Sequence, residues 1–132
     1  MTFIDTNILV RYLTGLPPDQ AATAADIIDS GTELWITATS LAEVYFIMSR
    51  VAGIPRVEVV RALIDFMQKD NIFPYAVDID FLLRGLEMTL PSGRVSVADA
   101  LIWATVRTAG SGAIYSFDQR FPEEGIRVLR SL

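Results

Sequence analysis

The sequence contains neither cysteine nor histidine. It therefore has no thiolate nucleophile, no disulfide, no Ser-His-Asp triad and no zinc site built from His or Cys ligands. Lysine is almost missing as well, because Lys69 stands alone beside ten arginines. A Schiff base or a phosphate-binding P-loop would depend on Lys69, and no glycine-rich turn surrounds it. Any catalysis must therefore rest on carboxylates, hydroxyls, arginines and a hard metal ion.

Long apolar runs are also missing. No stretch approaches the roughly 18 to 20 residues that a membrane span requires. Residues 1–5 lack the basic segment and the apolar stretch of a signal peptide. These features predict a cytoplasmic protein.

The chain has no excess of positive charge, since its formal net charge is -5. This charge argues against passive binding of nucleic acid through a broad basic surface, but it is compatible with an enzyme that has a local binding groove. With 132 residues the chain is long enough for a sizeable core, and we predict a single domain over residues 1–132. The 52% of hydrophobic residues is high for a soluble monomer and indicates apolar surface for a partner.

Short apolar segments alternate with segments of helical periodicity along the chain. Such alternation predicts an α/β fold with a mainly parallel sheet that helices cover on both faces. The predicted strands are residues 3–4, 33–37, 71–76, 114–117 and 127–129. The predicted helices are residues 7–14, 20–30, 40–51, 55–69, 78–90 and 97–109. The strand at 71–76 contains a proline and is therefore predicted at a sheet edge.

Two predicted strands end directly on an aspartate. Ile4 precedes Asp5, and Phe117 precedes Asp118. In open α/β sheets, ligands bind beyond the carboxyl ends of the strands, so the two acids suggest one shared site. An aspartate after a strand can also serve structure alone. Asp5 could cap the helix that follows it, and Asp118 could hold a turn over residues 119–121.

A third acid, Asp99, lies in the first turn of a predicted helix. Three, four and seven positions further on are Ile102, Trp103 and Val106, so the carboxylate shares a helix face with large apolar groups. A lone carboxylate in such surroundings is normally paired, neutralised or bound to a metal. The structural alternative is an acid that the positive end of the helix favours by about 0.3 to 1 kcal/mol, in a capping-box-like arrangement with Ser96.

The fourth acid, Glu43, lies near the start of the predicted helix 40–51. Its own helix face carries Phe46, Ile47 and Arg50. Taken singly, Glu43 is better explained as a solvent-facing acid or a distant partner of Arg50 than as a catalytic residue. Its functional interpretation depends on the other three acids.

The four acids have hydroxyl or amide neighbours, and together they suit a hard divalent cation. Such a cation prefers oxygen ligands, several carboxylates to balance its charge, and room for water. The neighbours are Thr6, Asn7, Ser40 and Ser116. Trp35 and Trp103 are predicted as core residues in preference to platforms for stacking bases.

The acids lie in four short motifs, which read IDTNIL at residues 4–9, SLAEV at 40–44, DALI at 99–102 and SFDQRF at 116–121. In this order and at this spacing, the motifs resemble those of PIN-domain ribonucleases, in particular the VapC-type toxins of bacterial and archaeal type II toxin-antitoxin modules. The resemblance spans nearly the whole chain, and four motifs in order are far more specific than any one of them.

The resemblance implies a three-layer α/β/α domain with a mainly parallel central sheet of four to five strands. It also implies an RNA substrate, a homodimer and a cognate antitoxin protein that covers the site. Residues 55–66 are a candidate interaction surface, with core packing as the alternative. Trp103 departs from the family, which commonly has a small residue there. The change removes no ligand but could reshape a groove wall or a partner surface.

The resemblance further assigns roles to individual residues. Four carboxylates would be the catalytic metal ligands for Mg2+ or Mn2+, and two polar side chains would support the metal or its waters. The carboxylates are Asp5, Glu43, Asp99 and Asp118, and the supporting residues are Asn7 and Ser116. Because no histidine can act as a base, a metal-bound water of lowered pKa is the available nucleophile for in-line attack on an RNA phosphodiester. Three arginines are candidates for the RNA groove, with surface solvation as the alternative: Arg11, Arg50 and Arg107.

Two other functions stay open on the sequence. A receiver-like phosphoacceptor domain also places acids at strand ends around Mg2+, but it normally requires a lysine after a late strand. Lys69 instead lies in a predicted helix before most of the sheet. A catalytically silent PIN-like module that acts only as a binding partner would keep the same acids, so the sequence does not exclude it.

Overall fold

The computed structural model describes residues 1–110 and 112–132. These residues divide into an N-terminal unit, Met1–Tyr75, and a C-terminal unit, Ala76–Leu132. The N-terminal unit contains α1 (Thr6–Thr14), α2 (Pro18–Ile28), β1 (Leu34–Ile36), α3 (Ala38–Phe46), α4 (Arg56–Met67) and β2 (Ile72–Pro74). The C-terminal unit contains α5 (Ile79–Met88), α6 (Val97–Thr108), β3 (Ala113–Tyr115) and β4 (Arg127–Leu129).

The strands of the N-terminal unit run parallel. β1 pairs with β2, and Phe3 forms a parallel bridge to Trp35 of β1, with the Ile4 amide donating to the Trp35 carbonyl at 2.9 Å. This arrangement leaves β2 at the edge, where Pro74 lacks the N–H that a further strand would need. Asp5 follows the bridged segment directly and so lies beyond its carboxyl end.

The helices of this unit begin and end where local chemistry dictates. α1 begins at Asp5 and ends at Gly15, whose φ of 71° suits glycine and lets its N–H donate to the Arg11 carbonyl at 2.9 Å. α3 continues as a π-helical turn over Ile47–Val51. The helices pack through fully buried side chains that include Leu9, Ile28, Leu41, Val44 and Leu63.

The only lysine of the chain joins three helices of the N-terminal unit. Lys69 Nζ lies 3.2 Å from Asp29 Oδ1, and the Tyr12 hydroxyl donates to the same oxygen at 2.9 Å. Tyr12 belongs to α1, Asp29 follows α2, and Lys69 follows α4. The two donors hold the pKa of the Asp29 carboxyl below its ordinary value. Lys69 therefore has a structural role here.

In the C-terminal unit, α5 packs closely on α6. A methyl group at Gly85 would lie 2.8 Å from the Ala100 carbonyl oxygen, so only glycine permits this approach. Trp103 of α6 is fully buried, and its Nε1 donates to the Glu124 carbonyl at 2.8 Å. Its indole also lies edge-on to Phe81, with ring centroids 6.3 Å apart. Trp103 is a core residue of this unit, as predicted, and the suggestion that it shapes a groove wall is wrong.

β3 and β4 also pair in parallel, with Tyr115 opposite Leu129. The ladder continues one residue further, because the Ser116 amide donates to the Leu129 carbonyl at 3.1 Å. Asp118 lies beyond the carboxyl end of β3, which is where the sequence placed it. The residue after β4, Arg130, is thereby brought beside the loop that carries Asp118.

The predicted alternation of strands and helices is confirmed, and both strand pairs are parallel as expected. Differences are local. The helix predicted at 40–51 is an α-helix followed by a π-helical turn, and the strand predicted at 3–4 is a single bridge. The described strands form two pairs, and the single domain over 1–132 stays a prediction. None of the described helices combines the length and apolar composition needed to cross a membrane.

Candidate functional site

Asp5 is the N-cap of α1. Its Oδ1 accepts a hydrogen bond from the Thr6 amide at 2.7 Å, and the residue is exposed. The capping role considered from sequence is therefore real, and it orients the carboxylate at the end of the bridged strand. Asn7, one of the two predicted supporting residues, is exposed in the first turn of α1 and lines a groove of about 270 Å3 within the N-terminal unit.

Glu43 lies in the second turn of α3 and is exposed. The helix start before it is fixed by Thr37, whose Oγ1 accepts from the Ser40 amide at 3.1 Å and donates to Ser40 Oγ at 3.2 Å. Ser40 is thus engaged in the cap. Among the ion pairs of the described residues, none joins Glu43 to Arg50, so the distant pair considered from sequence is not formed.

Asp99 lies in the first turn of α6, where its amide donates to Ser96 Oγ at 3.0 Å. This is one of the two hydrogen bonds of the predicted capping box, the bond from the N3 amide to the side chain of the N-cap residue. Asp99 is half-buried, and of the large apolar residues on its helix face Ile102 is 44% exposed while Trp103 is fully buried. The predicted apolar helix face is therefore only partly buried, and the role of Asp99 as a metal ligand stays a prediction.

Asp118 is held by a dense local network. Its Oδ1 accepts from the Arg120 amide at 2.8 Å, and its own amide donates to Ser116 Oγ at 3.1 Å. The hydrogen bond from the Arg120 amide, together with the positive charges of Arg120 and Arg130, holds the pKa of Asp118 below its ordinary value. The predicted turn role is confirmed, and Ser116 is the supporting residue of that turn.

The N-terminal unit thus carries Asp5 and Glu43, and the C-terminal unit carries Asp99 and Asp118. Within either unit, over residues 1–110 and 112–132, no three acidic side chains form a cluster that could hold a metal ion. The donor set itself is chemically suited to a hard cation, because all four side chains are carboxylates and supply only oxygen ligands.

The three arginines proposed for a groove differ in their contacts. Arg11 lines the groove beside Asn7, and its Nε donates to Gln20 Oε1 at 2.9 Å. Arg50 is exposed. Arg107 instead lies with its guanidinium 4.5 Å from the Phe81 ring centroid and donates to the Gly125 carbonyl at 3.1 Å. Arg107 is thus engaged within the C-terminal unit, and its assignment to a groove stays a prediction.

Arg130 lies near Asp118 of the predicted site and was not predicted from the sequence. Arg130 Nη1 donates to the carbonyls of Ser116 and Asp118, at 2.6 Å and 2.8 Å. The signal in the sequence was an arginine directly after the last predicted strand. Reading it would have required knowing that this strand lies beside the one that ends at Asp118.

Residues 2–125 match the family model described as PIN domain. The match covers nearly the whole chain and contains all four predicted acids. PIN domains have a three-layer α/β/α fold, so the predicted fold class is confirmed, and they are typically nucleases that generally use divalent metals. No curated protein matches the chain at a significant level.

Proposed function

Because this chain belongs to the PIN domain family, we propose that it is a Mg2+- or Mn2+-dependent endoribonuclease. The observation that carries the proposal is a family match over residues 2–125 that includes four acids in motif order. A nuclease function follows from the family. RNA as the substrate, and hydrolysis within the RNA chain, are the finer parts of the proposal.

Asp5, Glu43, Asp99 and Asp118 are the proposed catalytic residues and metal ligands. A bound Mg2+ or Mn2+ would supply Lewis acidity toward water and toward the phosphoryl oxygens. Asp5 and Asp118 each have one carboxylate oxygen fixed by a backbone amide. This fixation orients the carboxylates in advance and reduces the entropy that ligand binding must remove.

The N-terminal unit offers a site for the RNA backbone next to Asp5. The groove that contains Asn7 also contains Arg11, whose Nε bond to Gln20 fixes the plane of the guanidinium. A fixed guanidinium suits the oxygens of a phosphate group. Asp19 lines the same groove, so the local charge is mixed and favours a short contact over a long basic track.

We further propose that the protein is a VapC-type toxin of a toxin-antitoxin system, acting in the cytoplasm. The support is the set of motifs at residues 4–9, 40–44, 99–102 and 116–121. A homodimer and a cognate antitoxin are the proposed partners, because several large apolar side chains are exposed, Phe46 and Phe117 among them. Within residues 55–66, Val60 is fully buried, so only the outer face of α4 can contribute to such a contact.

One alternative has an observation in its favour. Asp5 caps α1 and Asp118 holds a turn, so both acids would serve a catalytically silent PIN-like binding module equally well. The receiver-like alternative has no such support, since the chain belongs to the PIN family and Lys69 is paired with Asp29.

The test is RNA cleavage by the purified full-length chain with Mn2+, with Mg2+, and with EDTA. We expect cleavage only with metal, and its loss in Asp5→Asn, because asparagine keeps an oxygen that can cap α1 but removes the charge. Asp26→Asn is the matched control, as Asp26 is an exposed aspartate of α2 outside the proposed site. Circular dichroism would check that all three proteins are folded.

Equal cleavage in EDTA, or an Asp5→Asn variant as active as Asp26→Asn, would contradict the proposal. A folded wild-type chain that binds RNA without cutting it under any metal condition would favour the silent binding module. Mapping new RNA ends in cells after induction, beside the Asp5→Asn control, would identify the RNA that is cut.

A further inference from the structure

Arg130 connects the end of β4 to the loop that follows β3. Its Nη1 donates to the Ser116 carbonyl at 2.6 Å and to the Asp118 carbonyl at 2.8 Å. The two carbonyls flank Phe117, so one guanidinium nitrogen holds the loop on both sides of a single residue. We call these two hydrogen bonds the Arg130 clip.

The parallel pairing of β3 with β4 places the clip. Tyr115 lies opposite Leu129, and the Ser116 amide continues the ladder to the Leu129 carbonyl at 3.1 Å. Arg130, the residue that follows β4, therefore lies beside Ser116, the first residue of the loop. Its side chain is only 31% exposed, and the planar guanidinium can reach two acceptors with little loss of freedom per bond.

The loop depends on polar contacts because apolar packing does little for it. Phe117 at its centre is 89% exposed and buries almost none of its ring. The other hydrogen bonds of Asp118 lie within the loop itself: the Arg120 and Phe121 amides donate to Asp118, and the Asp118 amide donates to Ser116 Oγ. The Ser116 amide and the clip both fasten this network to the neighbouring strand, and the clip is the fastening that reaches Asp118.

We propose that Arg130 is a positioning residue for Asp118. The clip fixes the loop so that the Asp118 carboxylate is oriented for a divalent cation before the cation binds. The inference rests on the proposed function, because it takes Asp118 as a metal ligand. The hydrogen bonds that reach the carboxylate end on Oδ1 in the described part of the chain, which is compatible with Oδ2 serving as the ligand atom.

Replacing Arg130 should have two opposite effects on metal affinity, and this makes the proposal testable. The positive charge of Arg130 repels a cation bound to the nearby carboxylate. Considered alone, the loss of this charge should therefore strengthen metal binding. Freeing the loop should weaken metal binding, because residues that orient metal ligands typically contribute about 10 to 100-fold to affinity. The nearby Glu123, 3.8 Å from Arg130 Nη2, already offsets part of the charge effect.

The experiment measures Mn2+ binding to the full-length, RNA-free chain by electron paramagnetic resonance. We expect Arg130→Met to weaken Mn2+ binding by about ten-fold. Arg130→Lys should lose less, since an ammonium can still donate to the loop carbonyls. Arg127→Met is the matched control, because Arg127 is an exposed arginine three residues earlier on β4 and its loss removes the same charge. It should bind Mn2+ like the wild type or slightly more tightly.

Cleavage provides the second readout. The Mn2+ concentration for half-maximal RNA cleavage should rise in Arg130→Met, while the rate at saturating Mn2+ returns most of the way to the wild-type rate. An Arg130→Met variant that binds Mn2+ as tightly as Arg127→Met overturns the inference. If circular dichroism shows that Arg130→Met is unfolded, Arg130→Gln decides instead, because its shorter amide side chain cannot hold both loop carbonyls. Mn2+ affinity in Arg130→Gln equal to that of Arg127→Met then overturns the inference.

Asp118→Asn separates this inference from the proposed function. Tight Mn2+ binding by the wild type with no change in Asp118→Asn overturns the role of Arg130 and leaves a nuclease with the other three acids. A wild-type chain that binds no Mn2+ contradicts both.

Discussion

Asp5 and Asp118 show how one side chain can serve structure and chemistry together. Each accepts a backbone hydrogen bond on Oδ1, from the Thr6 amide and from the Arg120 amide. A carboxylate held in this way has little rotational freedom left to lose when it binds a ligand. The cap and turn roles therefore do not compete with metal binding. They also explain why asparagine is a better test than alanine, since asparagine preserves the acceptor oxygen.

Trp103 gives the clearest stability prediction at the residue scale. It is fully buried, and its Nε1 bond to the Glu124 carbonyl ties α6 to the segment before β4. We expect Trp103→Ala to lower the free energy of unfolding by about 3 to 5 kcal/mol, because it removes the largest core side chain of the unit. Trp103→Phe should cost less, about 1 to 3 kcal/mol, mainly by leaving the Glu124 carbonyl unpaired.

Urea denaturation followed by circular dichroism would measure both Trp103 variants. Trp35 stays in place as a fluorescence probe. A loss below about 1 kcal/mol for Trp103→Ala would be too small for a fully buried indole and would contradict the assignment of Trp103 to the core.

At the scale of elements, polar contacts stabilise the N-terminal unit as well as its apolar core. We call the contacts of Asp29 with Tyr12 and Lys69 the polar tie. Asp29 accepts from Tyr12 and pairs with Lys69, and through these contacts the ends of α1, α2 and α4 are joined. Burial and the hydrogen bond to Asp29 raise the pKa of the Tyr12 hydroxyl, and the hydrogen bond to Asp29 raises the pKa of Lys69. All three groups thus keep their neutral-pH charge states more firmly in the folded chain.

The polar tie predicts that the free energy of unfolding depends on pH. The pKa of Asp29 is lowered by folding, so its contribution is present above the ordinary aspartate pKa of about 3.9 and is lost as the pH falls through the lower folded value. The pKa of Lys69 is raised, so its contribution persists until the pH rises past the ordinary lysine value of about 10.4. Asp29→Asn should therefore destabilise the chain most between these limits.

Thermal melting of wild type and Asp29→Asn at a series of pH values would test the tie. The difference in Tm should be present at pH 7 and should shrink toward zero in strong acid. Asp26→Asn changes an exposed aspartate of α2, three residues before Asp29, and should show no such pattern. A difference between wild type and Asp29→Asn that persists unchanged at low pH would contradict the assignment.

At the scale of the whole molecule, the described residues expose several large apolar side chains. Hydrophobic residues make up 52% of the sequence, and Phe46, Val51 and Phe117 are among the exposed large apolar side chains. A contiguous patch of such side chains would suit a contact with another protein chain. The negative net charge of -5 makes a basic partner segment electrostatically favourable.

We expect the chain to form a homodimer in solution. Light scattering coupled to size-exclusion chromatography should give twice the chain mass of 14.6 kDa at micromolar concentration and a shift toward the single-chain mass on dilution. Moderate salt should leave the dimer intact, because apolar burial is screened little by salt. A mass of one chain at every concentration tested would contradict the dimer.

The sequence by itself determined most of the helices and several of the residues that start and stop them, although α3 begins at Ala38 after Thr37, two residues before the predicted start. Asp5, Thr37, Asp78 and Ser96 cap helices, and Gly15 ends α1. Each of these effects acts over four residues or fewer, so neighbours in sequence contain all the information. The four acids could be selected for the same reason, because each stands in a short motif at a strand end or in the first two turns of a helix.

Only the tertiary structure decided which side chains are free and which are engaged. Ile102 and Trp103 are adjacent in sequence, yet packing of α6 on α5 buries Trp103 and leaves Ile102 exposed. The guanidinium of Arg107 packs against the ring of Phe81. Arg130 reaches Ser116 and Asp118 only because β4 pairs with β3. These partners are 12 to 26 residues apart, and a contact over such distances depends on pairing and packing that no local pattern specifies.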